Sequence, residues 1–281
     1  MNYIKWPVSI LGSFLCCSMA MAKPNTSVNA LETGGIFVGG GGAVNWLQTW
    51  SHTSGVMNVV SGFPPLGIFS GKTGHFSNHS RQVSPEVQVG YFAPFTNTPW
   101  LWGLNLSYQF SHNKSPTNFV NHEKGTFINV VNPNVNVVNQ VTMQHVTTTL
   151  NHELMLPVFL GRSFASGFVY LGGGPVLFNV RRQFGPISDN LSGYYIGKAN
   201  GFNNTRWLFG GGVQTGLAYF INATWFLKLN YTYAASANYS KRNQLVFGSA
   251  INKGLNNGTM TFMTSQRLAT QAIGISINKL F

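Results

Sequence analysis

The stretch that decides the fold closes the chain: Arg267-Leu268-Ala269-Thr270-Gln271-Ala272-Ile273-Gly274-Ile275-Ser276-Ile277-Asn278-Lys279-Leu280-Phe281. Counted back from Phe281 in steps of two, one parity carries Lys279, Ile277, Ile275, Ile273, Gln271 and Ala269. The other carries Leu280, Asn278, Ser276, Gly274, Ala272 and Thr270. Side chains of an extended strand alternate between its two faces. One face here is therefore apolar, the other small and polar, and the strand stops on an aromatic. A lipid side, a wet side and an aromatic end are what a transmembrane β-barrel asks of each strand. A soluble sandwich strand can share the alternation, so the rest of the chain must decide.

The opposite end reads as a secretory signal over residues 1–22. Lys5 supplies the positive region, Val8 to Met19 the apolar core, and Ala20-Met21-Ala22 the small-x-small cleavage site. The apolar stretch is shorter than the roughly 20 residues a spanning helix needs. Leu15 and Cys16 precede the two cysteines, Cys16 and Cys17, where a lipoprotein signal wants Gly or Ala. Both cysteines leave with the signal, so stability is expected from strand pairing without disulfides. No later stretch has the length and apolarity of a membrane helix. Charged residues make up 8% of the chain, against about 25% in ordinary soluble domains. The chain also holds 32 Gly, 22 Phe, 10 Tyr and 7 Trp, which favours a barrel.

Eight spanning strands are expected, at about 35–46, 81–93, 100–110, 146–160, 168–180, 206–220, 224–237 and 267–281. The third is the cleanest: Trp100, Trp102, Leu104, Leu106, Tyr108 and Phe110 oppose Leu101, Gly103, Asn105, Ser107 and Gln109. In the fourth, Leu150, Leu154, Leu156, Val158 and Leu160 are expected outward, with Asn151 and Glu153 inward. In the fifth, Phe168, Tyr170, Val176, Phe178 and Val180 are expected on the lipid face. Short links at about 94–99, 161–167 and 221–223 alternate with long ones at about 47–80, 111–145, 181–205 and 238–265. Outer-membrane barrels show this asymmetry, with tight periplasmic turns and long extracellular loops. Both ends of residues 23–281 are then expected in the periplasm. Trp100, Trp225, Tyr219, Phe168 and Phe281 fall near the short turns, and Tyr108, Phe110, Trp207, Tyr231 and Tyr233 toward the long loops, as two interfacial girdles. The uncharged run from Asn129 to Val141 reads as a hairpin turning at Asn132-Pro133-Asn134, or as two further spanning strands that would make ten.

On these residues the chain resembles the eight-stranded outer-membrane barrels that include the transmembrane domain of outer-membrane protein A and the opacity-type surface antigens. The resemblance covers residues 23–281. The terminal Phe281 is similar to the signal by which the barrel assembly machinery recognises its substrates. Since the chain ends at its last strand, no cell-wall-anchoring domain is expected.

Parity sends Glu86, Glu153 and Lys228 into the lumen, at comparable heights in the periplasmic half. A buried ion-pair cluster of the three is expected to plug the barrel with Gln88, Asn105, Asn151, Gln214 and Asn230, because burying any of the charges alone is costly. Inward glycines, among them Gly90, Gly103, Gly173 and Gly216, leave room for water and keep a narrow channel open as an alternative; they also let a small barrel curve. The net charge of +12 becomes +11 once Lys5 is removed with the signal. Lys72, Lys114, Lys124, Arg181, Arg182, Lys198, Lys241, Arg242 and Lys253 form an expected cationic crown of the loops. Such a crown attracts polyanions: the cell's own lipopolysaccharide, or sulfated and sialylated glycans of another surface. Nucleic acid is not an expected partner, and no cofactor or metal is implied. His75 and His79 would pair only on a helix, which Gly74, Ser77 and Asn78 disfavour. His152 has lipid-facing parity, which points to a register slip or a subunit contact. Asp189 is the only aspartate in the chain, and Leu154 stands where a membrane-facing deacylase would need a serine after His152. The expectation is a surface adhesin or antigen, not an enzyme; a porin-like channel and a structural envelope protein are the alternatives.

Overall fold

A computed structural model describes residues 28–281, apart from 63–66, 73–75, 117–120, 130–135, 144–145, 185–186, 192–193, 200–201 and 248–255. The signal peptide, the turn at Asn132-Pro133-Asn134 and Lys253 lie outside the described residues. A short helix α1 (Val28–Thr33) precedes the strands. These are β1 (Gly35–Gly62), β2 (Gly67–Lys72), β3 (Phe76–Pro94), β4 (Trp100–Pro116), β5 (Asn121–Asn129), β6 (Asn136–Met143), β7 (Val146–Met155) and β8 (Val158–Phe164). They continue as β9 (Gly167–Phe184), β10 (Ile187–Leu191), β11 (Tyr194–Ala199), β12 (Phe202–Phe220), β13 (Trp225–Ser236), β14 (Tyr239–Phe247) and β15 (Asn256–Leu280).

Every pairing is antiparallel. The ring runs β1–β3–β4–β7/β8–β9–β12–β13–β15, and β15 closes it on β1. Its staves number eight because β7 and β8 are halves of one stave, parted at Leu156-Pro157. Proline has no N–H to give the ladder. The break is bridged by Asn105 N donating to Pro157 O (3.0 Å) and Leu156 N donating to Pro175 O (3.1 Å). β5 and β6 pair with each other and with β2 and β10, outside the ring. The described residues of the run from Asn129 to Val141 therefore add no stave to the ring.

The expected long loops are largely β-structure. β1 and β15 stay paired from Phe37↔Leu280 up to Gly62↔Asn256, and β1 alone has 28 residues. At about 3.3 Å per residue it extends roughly 90 Å, three times the hydrocarbon thickness of a bilayer. Ribbons thus rise from one end of the barrel and tight turns close the other.

Alternation holds as expected in β3, β4, β12, β13 and the ring portion of β15. Val83, Val87, Leu104, Leu106, Phe209, Leu227, Ile275 and Ile277 face out, while Ser84, Gln88, Asn105, Gln214, Lys228, Ser276 and Asn278 are buried within. Two staves correct the sequence reading. In β9 the faces are reversed: Phe168, Tyr170, Val176, Phe178 and Val180 are buried in the lumen, while Val169, Leu171 and Leu177 face out. Both parities of this strand are apolar, so the bulkier aromatic set goes where it fills space. Phe168 accordingly leaves the expected girdle, and Gly173 turns outward toward Val213. In β7 a bulge at Asn151 shifts the register between Leu150 and His152, which puts Leu150 inside. Asn151 Nδ2 donates to Asn179 Oδ1 (2.9 Å), away from the lumen plug expected for it.

Candidate functional site: the lumen and the ribbon end

The short-turn end of the lumen is filled by six phenylalanines, Phe37, Phe92, Phe159, Phe168, Phe220 and Phe226, closed from below by Leu31 of α1. Centroids lie 5.4 Å apart for Phe37–Phe226, 5.1 Å for Phe220–Phe226 and 5.3 Å for Phe92–Phe168, within the range of favourable aromatic pairs. The inward glycines are the complement of these rings. A Cβ on Gly90 would collide with the Phe37 ring, and one on Gly103 with the Phe159 ring. The space that could have held water holds side chains, as an eight-stranded barrel permits. Phe37, Phe92, Phe220, Phe226 and Leu280 all fall on the inward parity of their strands beside the short turns, a signal already present in the sequence.

Above the rings lies a polar layer. One register row links Glu153↔Gln109, Gln109↔Glu86, Glu86↔Gly41, Gly41↔Ser276 and Ser276↔Lys228. Glu86, Glu153 and Lys228 are 4%, 5% and 3% exposed, with Glu86 between the other two in charge: attracted to Lys228 and repelled by Glu153. Lys228 Nζ donates to Gln88 Oε1 (2.8 Å) and lies 5.2 Å from the centre of the Tyr170 ring. With its carboxamide oxygen toward the lysine, Asn105 accepts from Nζ at 3.0 Å. Gln109 Nε2 donates to Glu86 Oε2 (3.2 Å), and Glu153 lies against Thr270. The ammonium therefore reaches the carboxylates' layer through amides and not by direct contact.

Gly39 and Gly41 of β1 make this layer possible. Gln88 of β3 reaches over them to β15, donating to Ser276 Oγ (2.6 Å) and Asn278 Oδ1 (2.7 Å). A Cβ at Gly39 would occupy the place of the Asn278 carboxamide. The glycine run 39–42 is thus a low sill across which two neighbours bond. Toward the ribbon end the lumen turns apolar again, with Leu47, Leu150, Met155, Val176, Phe178 and Leu208 in one cluster.

The expected crown separates into two sets. Lys114, Arg181 and Arg242 are exposed, while Arg182 is buried and Lys241 half-buried. Lys114 and Arg181 lie on one row across Thr149. Below them, another row carries Phe110, His152, Asn179 and Trp207. Lys72 and Lys124 are Cα partners across β2 and β5; their side chains, and that of Lys198, lie outside the described residues. His152 sits on the outer wall among aromatics: its Nδ1 bonds to Tyr108 Oη (2.8 Å), and its ring lies 5.1 Å from Phe110. The bulge next to this histidine turns Leu150 inward but leaves His152 on the outer face that its parity indicated. Phe281 is 71% exposed; its N–H bonds to Ile36 O (2.9 Å), and Lys279 Nζ lies 5.0 Å from its ring centre.

A closed eight-stave ring, with an apolar outer band and aromatic rims, defines the architecture of an outer-membrane β-barrel. No protein-family profile matches the chain, nor does any curated protein sequence. Solved barrels resemble it. Neisserial surface protein A has 13% identity over 85% of this chain and 99% of its own, with a TM-score of 0.29. OprG from Pseudomonas aeruginosa has 9% over 88% and 96%, with a TM-score of 0.35. Ail, the attachment invasion locus protein of Yersinia pestis, has 11% over 79% and 97%, with a TM-score of 0.25. Likenesses at this level carry nothing about ligand or activity.

Proposed function

We propose that this protein is a surface adhesin of the outer membrane, with its ribbons extracellular and both termini periplasmic, that binds anionic glycans through its ribbon end. The observation that carries the reading is the excess of cations at the ribbon end. Among the described side chains the acids are Glu32 beside the short turns and Glu86 and Glu153 inside the lumen, while Glu123 and Asp189 lie on the ribbon strands β5 and β10. The ribbon end gathers Arg81, Lys114, Arg181, Arg182, Arg206, Lys241, Arg242 and Arg267. A cationic surface on a barrel whose lumen is filled by side chains concentrates polyanions, so the reading is one of binding. Glu86, Glu153 and Lys228 then serve as a polar plug in which Lys228 compensates Glu86. Lys114 and Arg181, on the outer wall above the aromatic row, suit the phosphates of the cell's own lipopolysaccharide. Phe281 suits recognition by the barrel assembly machinery.

The test is retention of the full-length protein, in detergent micelles, on immobilised dextran sulfate and on plain dextran. Retention on the sulfated polymer alone, falling steeply between low and physiological salt, is the expected result. Equal behaviour on the two columns at low salt would dismiss the adhesin reading.

A further inference from the structure

At the ribbon end the wall of the barrel has a seam. The pairing of β12 with β13 ends at Gly210↔Ser236, and Ala237 N adds one bond to Phe209 O (2.9 Å). Beyond that point, among the described residues, β12 pairs only with β9 and β14 only with β15. Two strand edges thus face one another with no ladder between them. An open cavity occupies the seam, lined by Arg182 of β9, Arg206 of β12, Tyr239 and Lys241 of β14 and Thr264 and Gln266 of β15, among others.

Its chemistry is one-sided. None of the residues lining it is an acid, and three are permanent or near-permanent cations. Arg206 is held in place by stacking over the Tyr239 ring, 5.3 Å from its centre, so a cation of one edge is fixed against the other edge. The Lys241 pKa is lowered, by partial desolvation and by the charge of Arg206: the two edges repel. Tyr239 Oη and Thr264 Oγ1 are buried hydroxyls that make no hydrogen bond. Like charges facing across an unzipped seam, beside hydroxyls with free donors, offer the surroundings that an anion satisfies.

We infer that the seam between β12 and β14 is a specific oxyanion site that takes one sulfate- or phosphate-ester group of a glycan, bridging Arg206 and Lys241. Cations and hydroxyls supplied by three different strands suit a tetrahedral group with three free oxygens better than a planar carboxylate with two. The ester oxygen joins the group to the rest of the glycan. Binding at the seam also joins the two edges that the backbone leaves apart. This inference rests on the glycan-binding reading above and narrows it to one place.

The experiment compares full-length wild type with two double variants on dextran sulfate and on polygalacturonate, whose charges are carboxylates. The first, Arg206→Gln with Lys241→Gln, empties the seam. The second, Arg81→Gln with Arg267→Gln, removes the same charge from elsewhere at the ribbon end. The gel mobility shift of the folded barrel confirms that each is folded. Wild type should prefer dextran sulfate, the seam variant should lose about tenfold or more in affinity, and the control should lose much less. Arg206→Lys, which keeps the charge but not the planar fork, should lose several-fold. If wild type binds and both double variants weaken equally, the seam site is wrong and a diffuse crown stands. If polygalacturonate binds as tightly as dextran sulfate, the ester selectivity is wrong. If wild type binds neither polymer, the glycan-binding reading falls, and the seam site with it.

Discussion

The two ends of the lumen solve opposite problems with the same strands. At the short-turn end, bulky rings meet glycines on neighbouring staves, and Phe37 fills the space over Gly90 as Phe159 fills that over Gly103. At the ribbon end the staves part company, and Arg206 and Lys241 face each other across a gap with no backbone bonds. Close packing makes a region rigid and shut. Like charges leave one accessible and ready for a counter-charge. Closure and the proposed recognition are therefore separated along the barrel axis, with the polar layer of Glu86, Gln88 and Lys228 between them.

If that division is correct, substitutions should grade with depth. The largest effect is expected from Phe92→Ala, which removes a fully buried ring from the centre of the aromatic plug. Equilibrium unfolding in urea should show a loss of about 4 kcal/mol. Lys228→Met should follow with about 3 kcal/mol, since Gln88 Oε1 loses its charged donor and the buried Glu86 loses its compensating charge. Unchanged stability in this variant would mean that Lys228 does not compensate Glu86. Gly90→Val should cost about 2 kcal/mol by overpacking against Phe37. If it is tolerated, the short-turn end is looser than its counterpart. His152→Ala, on the outer wall and outside both regions, should cost only about 1 kcal/mol for the Tyr108 bond.

Much of this was legible in the chain. The alternation of β4, β12, β13 and β15 gave the ring its faces, and the inward parity of Phe92, Phe220 and Phe226 already announced a filled lumen. Three features escaped for physical reasons. The sequence of β9 is apolar on both parities, so periodicity cannot say whether Phe178 or Leu177 meets lipid; the space over facing glycines decides it. The bulge at Asn151 leaves no local signature, because a polar residue on an outward face and a one-residue slip look alike in sequence. The seam depends on where β13 stops and β14 leaves the ring. That is a property of pairing, invisible in the spacing of Arg206, Tyr239 and Lys241. The nine expected rim cations appear as one crown when read as loop residues; once Arg181 and Arg182 lie on a strand, alternation sends them to opposite faces of the wall.

The most direct measurement is planar-bilayer conductance of the refolded full-length protein, with Phe92→Ala beside it. A barrel closed by its aromatic rings should insert without producing single-channel currents, and the alanine variant should give at most brief openings. Steady currents from the wild type would contradict a shut lumen and make the row from Glu153 to Lys228 the lining of a pore.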